Sequence, residues 1–262
     1  HTNQNFDKNL KNIFFKDLGL RKVDYALSIA SKNNIETISR ILVDADKIIN
    51  NLKPDAIFIL GDTNSSLTSI VAKKKQIPIF HYEAGNRSFD ERVPEEANRR
   101  IVDAISDINL TYSSISREHL VREGKLSNRV INVGSPMLEV INFYKEKINR
   151  SNILSDLKIK KFNYFLASIH REENLDSINF SKIFDTLNII VEKYNLPIIV
   201  STHPRTKNKI NDSKFKLNKK IKLIKPLAFT EYLNLQINAK VVLSDSGTIN
   251  EESSILNFPE IG

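Results

Sequence analysis

A chain of 262 residues with 40% hydrophobic and 27% charged side chains has a globular composition and is long enough for two domains. It contains no cysteine, which excludes a disulfide framework and thiolate metal sites, and no apolar run approaches the roughly 18 residues of a membrane span. The net charge of +8 lies largely on lysine-rich segments such as KFKLNKKIKLIK, so we expect anionic small molecules as partners and no nucleic acid. We expect a cytoplasmic protein.

The first part of the chain alternates helical periodicity with short apolar runs. The segment ETISRILVDADKIINNL repeats apolar residues on one helical face, and DAIFIL follows it as a strand. Pro94 marks the start of a later helix and Gly124 the end of the next one. After DAIFIL we predict the helix SSLTSIVAKKKQ, the strand IPIF, the helix PEEANRRIVDAI, the strand INLTY, the helix SISREHLVREG, the strand RVINV and the helix PMLEVINFYKEKI.

A second alternation follows the polar segment NRSNILSDLKIKKFN, which we interpret as an interdomain linker. Strands that alternate with helices indicate parallel βαβ units. The sequence therefore predicts an α/β protein with two Rossmann-like domains, residues 1–150 and 151–262. We expect both to be incomplete, the first without its opening strand and the second without its last part. The predicted elements are the strand YFLASI, the helix SINFSKIFDTLNIIVEKYN, the strands PIIVS and KLIK, the helix FTEYLNLQINA, the strand KVVLS and the helix INEESSILN.

Polar clusters follow five of these predicted strands. Parallel strands with right-handed crossovers place their carboxyl ends at one edge of the sheet, where open α/β sheets bind ligands. Two such edges facing each other would form a cleft between the domains, suited to a small molecule. The clusters are GDTNSS and HYEAGNR in the first domain, and HREEN, HPR and SDSGT in the second.

The segment SDSGTINEE places Ser246, Gly247 and Thr248 just ahead of a predicted helix. Free backbone N–H groups and the helix dipole, about half a unit charge, favour an anion at such a position. We interpret the segment as a phosphate seat, with plain N-capping by Ser or Thr as the alternative.

Acidic and basic residues are concentrated between residues 83 and 100. A carboxylate near a phosphate repels it, so the acids here need a task such as proton transfer or a neighbouring arginine. On the helix from Pro94, surface ion pairs at i and i+4, Glu95 with Arg99 and Glu96 with Arg100, are the alternative. The acids are Glu83, Glu95 and Glu96, and the arginines near them in sequence are Arg87, Arg92, Arg99 and Arg100.

His170 and His203 each follow a predicted strand of the second domain. A histidine there can act as a general acid or base or donate to phosphate, and a structural role is the alternative. Without an H-E-x-x-H spacing or a cysteine, no metal site is predicted. The sequence has neither a Walker loop nor G-x-G-x-x-G, which argues against ATP hydrolysis and dinucleotide redox chemistry.

Six segments, in family order over nearly the whole chain, resemble the non-hydrolysing UDP-N-acetylglucosamine 2-epimerase family, whose members have a two-domain glycosyltransferase-B-like fold. These segments are GDTNSS, HYEAGNR, PEEANR, VGSPMLE, HREEN and SDSGTINEE. Three longer forms are most similar to the branch that converts UDP-2-acetamido-2,6-dideoxy-L-talose to UDP-N-acetyl-L-fucosamine for capsule or O-antigen synthesis. They are EAGNRSFDERVPEEANRRIVD, STHPRT and LSDSGTINEESSILNFP.

The resemblance implies inversion at C2 of a UDP-2-acetamido sugar without a cofactor. UDP and a 2-acetamidoglycal would be held together in a closed cleft before UDP is added back. Asp62, Glu83 and Glu95 match the family's catalytic acids, and His170 matches its catalytic histidine. We expect Glu83 or Glu95 to contact the sugar and His170 to assist the departing diphosphate. A homodimer is implied as well.

The resemblance also implies a set of substrate-binding residues, of which three match family positions at the diphosphate or ribose: Arg99, Ser246 and Glu252. The full predicted set is Arg87, Arg99, His203, Ser246, Gly247, Thr248 and Glu252. The family's GTRPE-like loop and REAHERPE-like segment, each with an arginine, are absent, so we expect a complete active site only in the intact protein. A UDP-sugar glycosyltransferase, a hydrolysing 2-epimerase and an inactive nucleotide-sugar-binding remnant stay open as alternatives.

Overall fold

The computed structural model describes residues 2, 8–27, 33–90, 93–168, 179–202 and 217–261. The chain forms two compact units. Apart from Thr2, the described part of the first unit lies within residues 22–136, and that of the second within residues 8–21 and 137–261. Helix α1 (Lys8–Asp17) therefore belongs to the second unit. The chain passes from the first unit to the second after Pro136. The predicted domain boundary at residue 150 stays a prediction.

The first unit is a four-stranded parallel sheet with its connecting helices. Its strands lie in the order β1-β2-β3-β4, so the segments that follow them leave at one edge of the sheet. The described elements are α2 (Asn34–Leu52), β1 (Ile57–Leu60), a 3-10 turn (Asn64–Leu67), α3 (Thr68–Lys74), β2 (Ile79–Tyr82), α4 (Pro94–Ile105), β3 (Ile108–Thr111), α5 (Ser114–Arg122), a second 3-10 turn (Ser127–Arg129) and β4 (Val130–Asn132).

Helix α2 illustrates how the sequence specifies these elements. Asn33 is the N-cap, and its side-chain oxygen accepts hydrogen bonds from the backbone N–H groups of Ile35 and Glu36 at 2.9 and 3.3 Å. The helix ends at Lys53, which has a left-handed backbone with φ of 47°. Apolar residues at helical spacing form its buried face, namely Ile41, Ala45 and Ile49.

The two faces of the first sheet differ in exposure. Helices α3, α4 and α5 pack against one face. A core cluster on that side consists of Ile59, Ala72, Ile79 and Val102. The opposite face presents large apolar side chains that are 37 to 61% exposed, and we call these four residues the open face: Phe58, Leu60, Phe80 and Ile131.

The second unit contains a five-stranded parallel sheet with the order β7-β6-β5-β8-β9. Its described elements are α1, α6 (Met137–Asn149), α7 (Ile153–Asp156), β5 (Phe165–Ser168), α8 (Asn179–Tyr194), β6 (Ile198–Ser201), β7 (Ile221–Ile224), α9 (Phe229–Asn238), β8 (Val241–Ser244), α10 (Ile249–Leu256) and β9 (Glu260–Ile261). Helix α7 lies in the segment that we interpreted as a linker, and Ile153 at its start is buried in the core.

Apolar clusters cover both faces of the second sheet. On one side, Phe184, Leu187 and Val191 of α8 pack with Phe165 and Val200. On the other side, Leu235 of α9 packs with Tyr164, Leu166 and Ile199. Strand residues buried on alternate faces in this way are typical of parallel sheets covered by helices.

Two parallel sheets, each with its connecting helices, confirm the predicted α/β class. No helix within the described residues is long and apolar enough to cross a membrane.

Candidate active site

Arg99 connects the predicted acids at the carboxyl edge of the first sheet. Its Nε donates to Asp62 Oδ2 at 3.0 Å, and its Nη1 donates to Glu96 Oε2 at 2.8 Å. Nη1 also donates to the backbone oxygen of Asn86 at 3.3 Å. One arginine thus links the loop after β1, the loop after β2 and helix α4.

The Arg99–Asp62 pair remains accessible to solvent. The side chains of Arg99 and Asp62 are 14% and 19% exposed, so a ligand at this edge of the sheet can reach both. Glu95 is exposed in the first turn of α4. Arg99 pairs with Asp62 and with Glu96, so these contacts replace the surface pair considered for Glu95 and Arg99.

Glu96 is a buried carboxylate that fixes the loop before α4. Its Oε2 accepts hydrogen bonds from the backbone N–H and the hydroxyl of Ser88, both at 3.1 Å, and its Oε1 accepts from Arg100 Nε at 3.0 Å. The i, i+4 pair with Arg100 that was considered as the alternative is present, but the Glu96 side chain is 2% exposed, so this end of the pair is buried. Burial alone would raise the pKa of Glu96, but the bonds from Ser88 and Arg100 and the charge of Arg99 lower it overall.

Replacement of Glu96 by glutamine is expected to destabilise the protein by about 2–4 kcal/mol near neutral pH, because two arginines lose a buried counter-charge. The carboxylate's pKa is below its ordinary value of 4.5, so its stabilisation is complete above that value and is lost as the pH falls through the folded-state pKa. The difference between the two proteins should therefore shrink in acid, as measured by urea unfolding at several pH values.

The matched control is Glu118→Gln, which removes an exposed carboxylate that pairs with Arg122 on α5. A surface pair of this kind contributes about 0–1 kcal/mol, so the control should unfold nearly like the parent protein. A loss for Glu96→Gln that is the same at every pH would contradict the assignment of the effect to the ionised carboxylate.

Glu83 lies in a strained turn directly after β2. Its φ is 73° and that of Gly85 is 78°, and a left-handed backbone at a residue with a side chain costs about 1–2 kcal/mol. Its carboxylate lies against the end of β1, because a Cβ added at Gly61 would be 3.2 Å from Glu83 Oε2. Glycine at position 61 therefore leaves room for this carboxylate beside the residue that precedes Asp62.

A buried network that the sequence did not predict lies beneath the Glu83 turn. His81 Nδ1 lies 2.8 Å from Asp103 Oδ1, and its Nε2 lies 3.1 Å from the backbone oxygen of Gly61. The side chains of His81 and Asp103 are 0% and 2% exposed. Two signals point to these residues: His81 falls on the buried face of β2, and Asp103 follows Arg99 by one helical turn.

Arg87 belongs to the same network. Its Nη1 donates to Asp103 Oδ2 at 2.7 Å, and its Nε donates to Glu123 Oε1 at 2.8 Å. Burial disfavours the charged guanidinium, but the hydrogen bonds to Glu123 and Asp103 outweigh it and raise the pKa of Arg87. The structure thus places Arg87 between two carboxylates, and its expected contact with substrate stays a prediction.

In the second unit, the predicted phosphate seat is a hydrogen-bonded turn between β8 and α10. Ser246 Oγ lies 3.1 Å from Thr248 Oγ1, which donates to Glu252 Oε1 at 2.8 Å. Gln236 Nε2 donates to Glu252 Oε2 at 2.7 Å from α9. The turn therefore brings together Ser246, Thr248 and Glu252, while Gly247 is exposed with open space around it.

Tyr232 is a further polar residue near the carboxyl end of β5, and the sequence analysis did not identify it. Burial raises the pKa of Tyr232 to about 12, although its hydrogen bond with Ser168 acts in the opposite direction. The hydroxyl is therefore protonated at neutral pH. His170, His203 and Arg92 lie outside the described residues, and their predicted roles stay predictions.

No group of three His, Asp or Glu side chains in the described part of the chain is placed to hold a metal ion. The polar side chains instead form two sets, one at the strand ends of each sheet. This arrangement and the two parallel sheets define an α/β enzyme of the glycosyltransferase-B-like class.

The chain belongs to the UDP-N-acetylglucosamine 2-epimerase family, whose profile matches residues 1–262. It is 37% identical to a UDP-N-acetylglucosamine 2-epimerase of Methanocaldococcus jannaschii, over 99% of this chain and 73% of that protein. It is 33% identical to a UDP-2,3-diacetamido-2,3-dideoxy-D-glucuronate 2-epimerase of Pseudomonas aeruginosa, over 99% of this chain and 72% of that protein.

Solved structures of UDP-N-acetylglucosamine 2-epimerases are similar to this chain. The UDP-N-acetylglucosamine 2-epimerase from Rickettsia bellii superposes with a TM-score of 0.92 at 43% identity, covering 100% of this chain and 70% of that one. The Methanocaldococcus jannaschii UDP-GlcNAc 2-epimerase, solved in complex with UDP-GlcNAc and UDP, superposes with a TM-score of 0.89 at 36% identity, covering 99% and 74%. The predicted class of enzyme, a UDP-sugar 2-epimerase and therefore an isomerase, is confirmed.

Proposed function

We propose that the intact protein inverts C2 of a UDP-2-acetamido sugar by eliminating UDP and adding it back. The observation that carries this proposal is the position of two acids at neighbouring strand ends of one sheet. Glu83 lies against Gly61, the neighbour of Asp62, while Arg99 holds Asp62 from α4. Two carboxylates that share a site with a cation suit a reaction that moves a proton on a substrate bearing an anionic leaving group.

The reaction balances without an oxidant or reductant. A carboxylate takes the proton from C2, the electron pair of the C–H bond forms the C1=C2 double bond, and the C1–O bond breaks so that UDP leaves with its electrons. In the return step a UDP oxygen attacks C1 and a proton is added to the other face of C2. General acid–base catalysis contributes about 10²- to 10⁴-fold, so both acids and the exclusion of water are needed.

We assign Glu83 or Glu95 to the sugar, Asp62 to proton transfer beside them, and His170 to the departing diphosphate. Arg99 is partly exposed next to Asp62, which supports a contact with the diphosphate charge. The turn with Ser246, Gly247 and Thr248 places backbone N–H groups ahead of α10, which supports a phosphate contact there. Glu252 would accept from the ribose and His203 would complete the binding set, while Arg87, 0% exposed between Asp103 and Glu123, would support the site from beneath.

For the substrate we propose UDP-2-acetamido-2,6-dideoxy-L-talose, converted to UDP-N-acetyl-L-fucosamine for capsule or O-antigen synthesis. The segment EAGNRSFDERVPEEANRRIVD supports this branch. The two relatives named above act on different sugars yet share the inversion at C2. The reaction is therefore the common element, and pocket shape selects the sugar.

The experiment that tests the proposal incubates the full-length protein with this UDP-sugar, and separately with UDP-N-acetylglucosamine, in D₂O. NMR follows C2 in both. Deuterium at C2 together with a mixture of C2 epimers is the expected result, and the sugar that exchanges faster identifies the branch. No exchange with either sugar, despite saturable UDP binding, would overturn the proposal.

The other functions predict different products. Free 2-acetamido sugar released with UDP would indicate a hydrolysing 2-epimerase, and transfer of the sugar to an added acceptor would indicate a glycosyltransferase. We also propose a cytoplasmic homodimer. Light scattering coupled to size-exclusion chromatography tests the dimer, and a single protomer mass at micromolar concentration would contradict it.

A further inference from the structure

We propose that Asp103 is a positioning residue, which with His81 sets the location of the Glu83 carboxylate relative to Asp62. This inference rests on the proposed function, because it assumes that Glu83 and Asp62 act on the sugar. None of the predicted contacts with substrate includes Asp103 or His81. Their burial also makes direct contact with a ligand impossible without opening the core.

The Glu83 turn needs external support. Glu83 and Gly85 both have left-handed backbones, and a side chain at Glu83 makes that conformation unfavourable by itself. A Cβ at position 85 would lie 2.2 Å from the backbone oxygen of Ser116, so the turn is pressed against α5. A strained segment of this kind persists only where surrounding contacts fix it.

Asp103 supplies the contact at the centre of the turn. The backbone N–H of Gly85 lies 3.3 Å from both of its carboxylate oxygens. Arg87 Nη1 donates to Oδ2 at 2.7 Å on the far side of the turn, and His81 Nδ1 lies 2.8 Å from Oδ1 on the near side. One buried carboxylate thus holds the residue before the turn, the turn itself and the residue after it.

His81 extends the support to the neighbouring strand end. Its Nε2 lies 3.1 Å from the backbone oxygen of Gly61, the residue that precedes Asp62. Both ring nitrogens of His81 therefore lie within hydrogen-bond distance of an oxygen, one of Asp103 and one of Gly61. The chain Asp103–His81–Gly61 links the Glu83 turn to the Asp62 loop, and this link would fix the distance between the two carboxylates.

Two pairs of variants test the proposal. Asp103→Asn replaces one of the two acceptor oxygens with an NH₂ group, so the N–H of Gly85 and Nη1 of Arg87 are left with a single acceptor oxygen. Its matched control is Asp107→Asn at the opposite edge of the same sheet, where Asp107 Oδ2 accepts from the backbone N–H of Ile79 at 3.0 Å. Both changes remove a hydrogen-bonded carboxylate near the end of α4. Asp103 lies in the last turn of this helix and contacts the Glu83 turn, whereas Asp107 follows the helix and does not contact that turn.

The second pair separates the two contacts of His81. Asn can place an amide nitrogen near the position of Nδ1, and Gln can place one near Nε2. His81→Asn therefore retains a donor toward Asp103, whereas His81→Gln retains one toward Gly61. If His81 only stabilises the fold, the two variants should change the chemical shift of the Glu83 carboxylate equally. If His81 positions Glu83, the two variants should change it by different amounts.

The first measurement needs no substrate. In protein labelled with ¹³C at glutamate carboxylates, the Glu83 signal is the one missing from Glu83→Gln. Its chemical shift and titration should change in Asp103→Asn and remain as in the parent protein in Asp107→Asn. An unchanged Glu83 signal in Asp103→Asn would overturn the proposal, whether or not the protein proves to be an epimerase.

The second measurement uses the UDP-sugar deuterated at C2. We expect Asp103→Asn to lower kcat by about 10- to 100-fold with KM within about twofold, because a base displaced by about 1 Å loses rate. The deuterium isotope effect on kcat should rise, a change that loss of folded protein cannot produce. An unchanged isotope effect, with a rate that only follows the folded fraction, would refute positioning. Failure of the parent protein to exchange C2 would refute the function alone.

Discussion

Replacement of Glu83 by glutamine is expected to lower the rate of C2 epimerisation by about 10²- to 10⁴-fold, the usual contribution of a general base. Glutamine has nearly the same shape, so it fits beside Gly61 but cannot take a proton. The turn itself should survive, because its anchoring contacts come from Gly85 and Asp103. Steady-state kinetics and C2 exchange in D₂O measure the effect.

Binding should respond much less than turnover. The predicted nucleotide contacts of the second unit, such as Ser246 and Glu252, are separate residues, so UDP should bind Glu83→Gln about as well as the parent protein. Glu118→Gln on α5 is the matched control and should retain full activity. Wild-type exchange in Glu83→Gln would remove Glu83 from the catalytic set and leave Glu95 as the acid at the sugar.

Replacement of Gly85 by alanine is expected to destabilise the protein by about 3 kcal/mol or more. The added Cβ would lie 2.2 Å from the backbone oxygen of Ser116, a contact that only movement of α5 or of the turn can relieve. The left-handed φ of 78° adds about 1–2 kcal/mol for a residue with a side chain. Against a typical total stability of about 5–15 kcal/mol, the loss is large and measurable by urea unfolding.

Gly124→Ala separates the two causes. Gly124 also has a left-handed backbone, with φ of 93°, but its added Cβ would have no heavy atom within 4 Å. Its cost should therefore be the backbone strain alone, about 1–2 kcal/mol. Equal destabilisation by the two substitutions would show that the first sheet and α5 can yield at Gly85 without cost.

The sequence was sufficient to predict most of the helices and strands and the edge on which the acids lie, but it predicted neither α1 nor α7. The helices and strands follow from local periodicity and from short apolar runs such as DAIFIL and IPIF. The common edge follows because parallel strands all end on the same side of the sheet. It also indicated that arginines would hold acids between residues 83 and 100, and Arg99 does so for Asp62 and Glu96.

The particular partners could not be predicted because they depend on tertiary packing. Spacing along α4 allowed Glu95 as a partner of Arg99, but α4 turns Arg99 toward the loop after β1, 37 residues earlier in the chain. His81 and Asp103 lie 22 residues apart, and burial rather than any local pattern brings them together. The segment taken as a linker forms α7 because Ile153 finds a place in the second core.

The open face of the first sheet affects how the chain behaves at high concentration. Exposed Phe58, Leu60 and Phe80 offer an apolar surface of the kind that binds hydrophobic dyes. Among the described strands β1 lies at the end of its sheet, and its sequence IFIL is uncharged and has strong β-propensity. A charged side chain at position 58 should therefore improve the solubility of this chain.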